Sequence, residues 1–283
     1  MKAKILFFIV LFLKFAILKS QTNVDFIKKI QNYKEAVKIT ASGLMFNDSI
    51  DTSTFNIKAY MEMYPAIKIK EKGYIFDYYY YDNWSDAKPH IYVKSKNFNL
   101  INHINKNADE IKLKGGERDD FIRRSIYWFL KDSCNKANQN VFPEDTEAGY
   151  FQYLYFYEFG EQFALKWHAS YKKKKVITAK QELEEILNQY AEQLQQVDTI
   201  GIEREMSGSS ISFCDTTALQ HFLLSDSVIS VQFNVDHVIV KWLELEEWRG
   251  LFERTYKIMR TKPYRIELIK EKHLVGKVPS GIK

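Results

Sequence analysis

Residues 228–270 read VISVQFNVDHVIVKWLELEEWRGLFERTYKIMRTKPYRIELIK, and this stretch decides the fold class. Strands are expected over 228–233, 238–245, 251–259 and 264–270, where apolar and polar side chains tend to alternate as they do on a strand with one covered face. The links at 234–237 and 261–263 are too short for a crossover, so these neighbours must run antiparallel. Further strands are expected around Ile202 and over 209–216, with a short helix near 218–224. Just upstream, Leu183, Ile186, Leu187, Tyr190, Ala191 and Leu194 recur at helical spacing. Helices set apart from runs of strands, with no βαβ rhythm, predict an α+β fold: mostly antiparallel strand-rich regions packed by a few amphipathic helices.

The earlier part of the chain carries the same mixture. Phe26, Ile30, Tyr33 and Val37 predict an opening helix. A short helix over 55–64 should end at Pro65. Residues 67–94 are strand-rich, with turn chemistry at 71–73 and 82–89. Phe98, Ile101 and Ile104 suggest a helix. Another begins near Glu117, with Phe121, Ile122, Ile126, Phe129 and Leu130 as its apolar stripe. Residues 132–148 lack periodicity and read as a linker or long loop between an N-terminal region, 21–145, and a C-terminal region, 146–283, the two being either separate or one continuous domain. Beyond it, YFQYLYFY at 150–157 and the alternating 163–171 read as a hairpin turning at 158–161. GYIFDYYYY at 73–81 resembles GYFQYLYFY at 149–157. Either a hairpin-then-helix unit is duplicated, or half-buried strands have selected aromatics twice.

The N-terminus predicts export. Lys2 and Lys4 precede an apolar run from Ile5 to Leu13, and Ser20 is the small residue before the expected cut. Lys14 keeps the uncharged run below the roughly 18 residues of a membrane span. Residues 1–20 are therefore read as a signal peptide, and the product as periplasmic, secreted or envelope-associated. The chain carries +5, from 41 Lys and Arg against 36 Asp and Glu. Removing Lys2, Lys4, Lys14 and Lys19, with no acid beside them, leaves about +1, which is no footprint for nucleic acid. Nor does an integral membrane segment remain after cleavage. In an oxidising compartment Cys134 and Cys214 are a possible disulfide.

Aromatic residues dominate the list of candidate sites, with 20 Phe and 18 Tyr in the chain. Most are expected in the core. Tyr78–Tyr81 differs, because four consecutive tyrosines place rings on both faces of a strand. Tyr78, Tyr79, Tyr81, Asp82 and Trp84 are the candidate surface for a protein or carbohydrate ligand, since such rings pack apolar groups while their polar tips stay wet.

Catalytic signatures are weak by comparison. His90, His103, His168, His221, His237 and His273 show no paired metal-ligand spacing. Gly115–Gly116 lacks the rest of a dinucleotide fingerprint, so neither metal nor cofactor is expected. Ser207–Ser210 lacks the G-x-S-x-G elbow. Ser210, Ser212, Cys214 and Thr216 would share one small, polar strand face. Glu158/Glu161, Glu203/Glu205 and Glu244/Glu246 pair carboxylates as glycosidases do, and as solvated strands do. Lys172–Lys175 reads as a charged turn. The leading expectation is a non-catalytic binding or envelope-associated module; the alternative is an exported hydrolase whose carboxylates or histidines converge only in three dimensions.

Overall fold

The computed structural model describes residues 22–37, 40–41, 50–51, 55–70, 72–81, 88–165, 173–188, 219, 222, 229–246 and 249–276. The elements run α1 (22–36), β1 (Thr40–Ala41), β2 (Ile50–Asp51), α2 (Ile57–Glu62), β3 (Ile67–Ile69), β4 (Tyr74–Tyr81) and β5 (Lys88–Ser95). Next come α3 (Leu100–Glu110), α4 (Gly115–Asn140), β6 (Val141–Pro143), α5 (Glu147–Phe159), β7 (Lys174–Val176) and α6 (180–188). The chain closes with β8 (Ser230–Phe233), β9 (His237–Glu246), β10 (Gly250–Met259) and β11 (Ile266–Val275). Every strand pairing among the described residues is antiparallel, and helices are separate from the sheets, so the fold is α+β.

Two compact units divide the chain. One is residues 32–170; the other joins the described residues of 22–31 to those of 171–283. In the first, β4 and β5 form a hairpin in register from Tyr74↔Ser95 to Tyr81↔Lys88. Strand alternation sends successive tyrosines to opposite sides. Tyr79 and Tyr92 enter a core with Leu100, Ile104 and Ala108 of α3 and Ile122, Ile126 and Leu130 of α4. The other side of β4 offers Phe76 to Phe156 of α5, 6.0 Å between ring centroids, and Tyr78 to Phe55 at 4.6 Å. Local chemistry starts the helices: Asn56, Asn99 and Thr146 each accept a hydrogen bond from the backbone N–H three residues on, caps worth about 1 kcal/mol each.

In the second unit β10 lies between β11 and β9, and β9 is long enough for β8 and β7 to share its far edge. Residues 238–241 of β9 pair with β8, and 244–246 pair with β7. One face packs Leu243, Leu251 and Val275 against Leu183 and Ile186 of α6. Gly250 makes the β9–β10 turn possible: its φ is +102°, and a Cβ there would lie 2.1 Å from the Val275 carbonyl oxygen.

Three expectations are corrected. Residues 150–157 are not a strand but the middle of α5, so no hairpin turns at 158–161. With 74–81 a strand and 149–157 a helix, the two similar segments are not copies of one structural unit. Nor is 132–148 a linker: α4 runs on to Asn140 and β6 follows, pairing with β3 from Ile67↔Pro143 to Ile69↔Val141. The division of units falls at Ser170–Tyr171. Strands expected near Ile202 and over 209–216 lie outside the described residues, as does the signal segment 1–20.

Candidate functional site

The expected aromatic surface on β4 is largely interior where it is described. Tyr79 and Tyr80 are buried, and the Tyr80 hydroxyl donates to the Ala164 carbonyl at 2.8 Å. Tyr78 is half-buried, its ring edge-on to Phe55. The Tyr81 side chain, Asp82 and Trp84 lie outside the described residues, as do Cys214 and the side chain of Cys134, which sits on α4. His168, His221, Ser207–Ser210, Ser212, Thr216, Lys172, Glu203 and Glu205 are also outside them.

Exposed aromatic surface occurs instead on α4. Arg118 fastens the start of this helix to α3 through Asn105 Oδ1 at 3.2 Å and Asp109 Oδ1 at 2.9 Å. With 100° between residues, Ile122, Ile126 and Leu130 line the inner side, and positions two further on lie about 200° away. Those outer positions hold Arg124 and Trp128, flanked by Arg123 and Tyr127. Trp128 is 60% exposed and Tyr127 37%. Their rings meet edge to face, 5.5 Å apart at 74°. Asp120 bonds Arg123, and its Oδ2 lies 2.7 Å from the Arg124 guanidinium. The hydrogen bond from Arg123, with Arg124 adding to it, holds the Asp120 carboxyl below its ordinary value. Apolar rings opposite a buried stripe are not what a helix with one covered side requires.

A buried lysine, unforeseen from sequence, lies elsewhere in the same unit. Lys34, in the last turn of α1, is buried, as is Val37 just beyond the helix. The Lys34 ammonium donates to the Phe159 carbonyl and lies 5.6 Å from the Tyr155 ring centre. Beside it the Tyr60 hydroxyl donates to the Gly160 carbonyl at 2.8 Å and meets the Tyr64 hydroxyl at 3.0 Å. These groups satisfy carbonyls at the α5 terminus that water does not reach. Burial pushes the Lys34 pKa down to about 7 and those of Tyr60, Tyr64 and Tyr155 up. The signal was present in sequence, since Lys34 follows Ile30 by four residues and Ile27 by seven.

The second unit brings together one of the expected carboxylate pairs. Glu244 and Glu246 share a β9 face, as residues two apart must, and both are buried. Arg254, across on β10, bonds Glu244 Oε1 and reaches Glu246 Oε1 at 2.6 Å and Glu271 Oε2 at 2.7 Å. Trp242 Nε1–H donates to Glu244 Oε2 at 3.2 Å, and Arg249 to Glu246 Oε2 at 3.0 Å. Lys174 lies 3.5 Å from Glu244. Burial alone would lower the Arg254 pKa, but Glu244 and Glu246 outweigh it and raise it. All four oxygens of the pair are engaged, which is the geometry of a structural ion network.

The remaining candidates are dispersed. Glu161 accepts the Ile91 backbone N–H at 2.8 Å and pairs with Lys88 at 3.3 Å; Glu158 is on α5. His90 lies 3.5 Å from Glu161, His237 lies 2.6 Å from Asp236, and His273 stacks on Phe252 at 4.4 Å. His103 lies 5.5 Å from the Phe98 ring. Among the described residues no group of His, Cys, Asp and Glu is arranged to hold a metal ion, and no helix is long and apolar enough to cross a membrane. No protein-family model, curated protein or solved structure matches the chain.

Proposed function

We propose that this chain is an exported, non-catalytic binding protein that grips a protein partner through the outer face of α4. The observation that carries the reading is Trp128, 60% exposed beside Tyr127 on the side of the helix away from its buried stripe. Trp, Tyr and Arg are the residues that most often anchor protein interfaces, and Arg123 and Arg124 flank the two rings. A sugar stacks on a flat aromatic platform, whereas these rings stand at 74° to each other, which favours a protein ligand over a carbohydrate. Export rests on the sequence of residues 1–20. The hydrolase alternative is weakened because Glu244 and Glu246 have each oxygen committed to Arg254, Arg249 or Trp242.

A photo-crosslinking residue placed at 128 in the producing cell should capture one defined protein. With that protein purified, Trp128→Ala should weaken the complex about tenfold or more without changing stability. Equal affinity in the variant would sink the α4 surface. Recovery of a cytoplasmic product with Met1 intact, rather than a chain starting near Gln21, would sink the export half.

A further inference from the structure

We infer that the β8–β9 and β10–β11 turns of the second unit form a docking tip for an anionic lipid surface. The β8–β9 link is a tight turn, with Phe233 paired to Val238 and the Asn234 N–H donating to the His237 carbonyl at 2.9 Å. Val235 and Asp236 occupy its apex. Such turns select glycine, asparagine or aspartate; a β-branched valine answers no local need. Val235 is nevertheless 91% exposed, and Phe233 behind it is 38% exposed.

The apex is held in place. The Arg260 guanidinium donates to the Asn234 and Val235 carbonyls, each at 2.8 Å, and lies 4.1 Å from the centre of the Phe233 ring. Its own N–H donates to the Asp236 carbonyl at 2.9 Å, binding the β10–β11 turn to the β8–β9 turn. The apolar knob is therefore presented already ordered, so little freedom is lost when it is buried.

Charge indicates the occupant. Lys262 and Arg265 are exposed on the adjoining turn, and Lys257 and Arg260 are half-buried beside them. Opposing them are Glu267 and Asp236, and the Asp236 carboxylate is engaged by His237 Nδ1 at 2.6 Å. Four cations against two acids attract an anionic surface. The shape is convex, and two short turns cannot supply the roughly 800 Å² that each partner gives to a standard protein interface. A soft, planar bilayer needs only that a few apolar side chains enter it while cations meet its headgroups.

Hydrogen exchange on the full chain, with and without vesicles, tests this. Every variant carries the same N-terminus, so an apolar leader contributes equally to all of them, and it cannot protect amides at the tip. Phosphatidylglycerol-containing vesicles should slow exchange at 233–237 and 260–265; pure phosphatidylcholine vesicles should not. Val235→Asp, a residue the turn accepts readily, should remove that protection with circular dichroism unchanged. Lys262→Ala with Arg265→Ala should weaken vesicle binding about thirtyfold. No protection with anionic vesicles, or equal protection in Val235→Asp, overturns the assignment. Protection that appears only with a protein ligand overturns it in favour of a protein partner.

Discussion

Arg254 in one unit and Lys34 in the other are both buried cations, and the fold accommodates them in opposite ways. Arg254 keeps its charge, and carboxylates at Glu244, Glu246 and Glu271 surround it. Lys34 meets, among the described residues, the Phe159 carbonyl and the Tyr155 ring, with no carboxylate ion pair, and burial carries its pKa down to about 7. A guanidinium does not lose its proton at accessible pH, so it must be given counter-charge; an ammonium can become a neutral amine. The type of cation thus dictates what the surrounding sequence must supply.

The largest expected effect comes from removing Arg254. Arg254→Met leaves Glu244 and Glu246 buried without their shared cation, which costs about 3 to 5 kcal/mol. Urea denaturation should show the loss as a lower midpoint. Replacing Glu244 and Glu246 by Gln in the same chain should recover most of it, because the penalty lies in unpaired charge rather than in missing volume. If the triple variant is no more stable than Arg254→Met alone, the carboxylates are not what the arginine is there to balance.

Lys34 should respond to pH where Arg254 does not. The folded protein releases this proton near pH 7, while the unfolded chain holds it until about 10.5. Between those values the unfolded state carries more protons, so stability rises as pH climbs through that window and is flat below it. The rise from this one group is on the order of a few kcal/mol. Lys34→Met should abolish the rise. At pH 10 it should cost about 1 kcal/mol, through the hydrogen bond lost at the Phe159 carbonyl, and at pH 6, where the wild type lacks the rise of a few kcal/mol, it should stabilise the fold. A wild-type profile already flat from pH 7 to 10 would show that Lys34 remains charged inside the fold.

How far these arrangements were legible depends on periodicity. Strands β9 to β11 alternate and carry tight turns, so sequence placed them well, and the Glu244/Glu246 pair with them. Helix α5 does not alternate at either period, because Tyr150, Phe151, Tyr153, Leu154, Tyr155 and Phe159 are all buried. An apolar run buried over most of its surface looks alike as strand or helix, and aromatic content favours strand. The caps would have decided it: Thr146 accepts the Gly149 N–H at 3.0 Å and Gly160 follows the last turn. Tyr79 is interior for a related reason. Four tyrosines in a row do occupy both faces of β4, but each described face has a layer of its own to pack against. Trp128 leaves no mark in the periodicity, because the stripe of Ile122, Ile126 and Leu130 accounts for the helix without it.

Glu271 gives the smallest test and separates the rim of the arginine network from its centre. Burial alone would raise its pKa, yet hydrogen bonds and charge from Arg254 and Arg249 more than offset this and hold it below the ordinary value of 4.5. A lowered carboxyl stabilises the fold at pH values above 4.5, and that contribution fades as pH falls through and below it. Because Glu271 is about one-third exposed, solvent screens it, and Glu271→Gln should cost below about 1 kcal/mol at pH 7. The difference between wild type and variant should shrink with acid and with added salt. Arg254→Met, by contrast, should remain costly in salt, since Glu244 and Glu246 are shielded from ions. A Glu271→Gln loss as large as that of Arg254→Met would mean that the third carboxylate, and not the buried pair, holds the arginine in place.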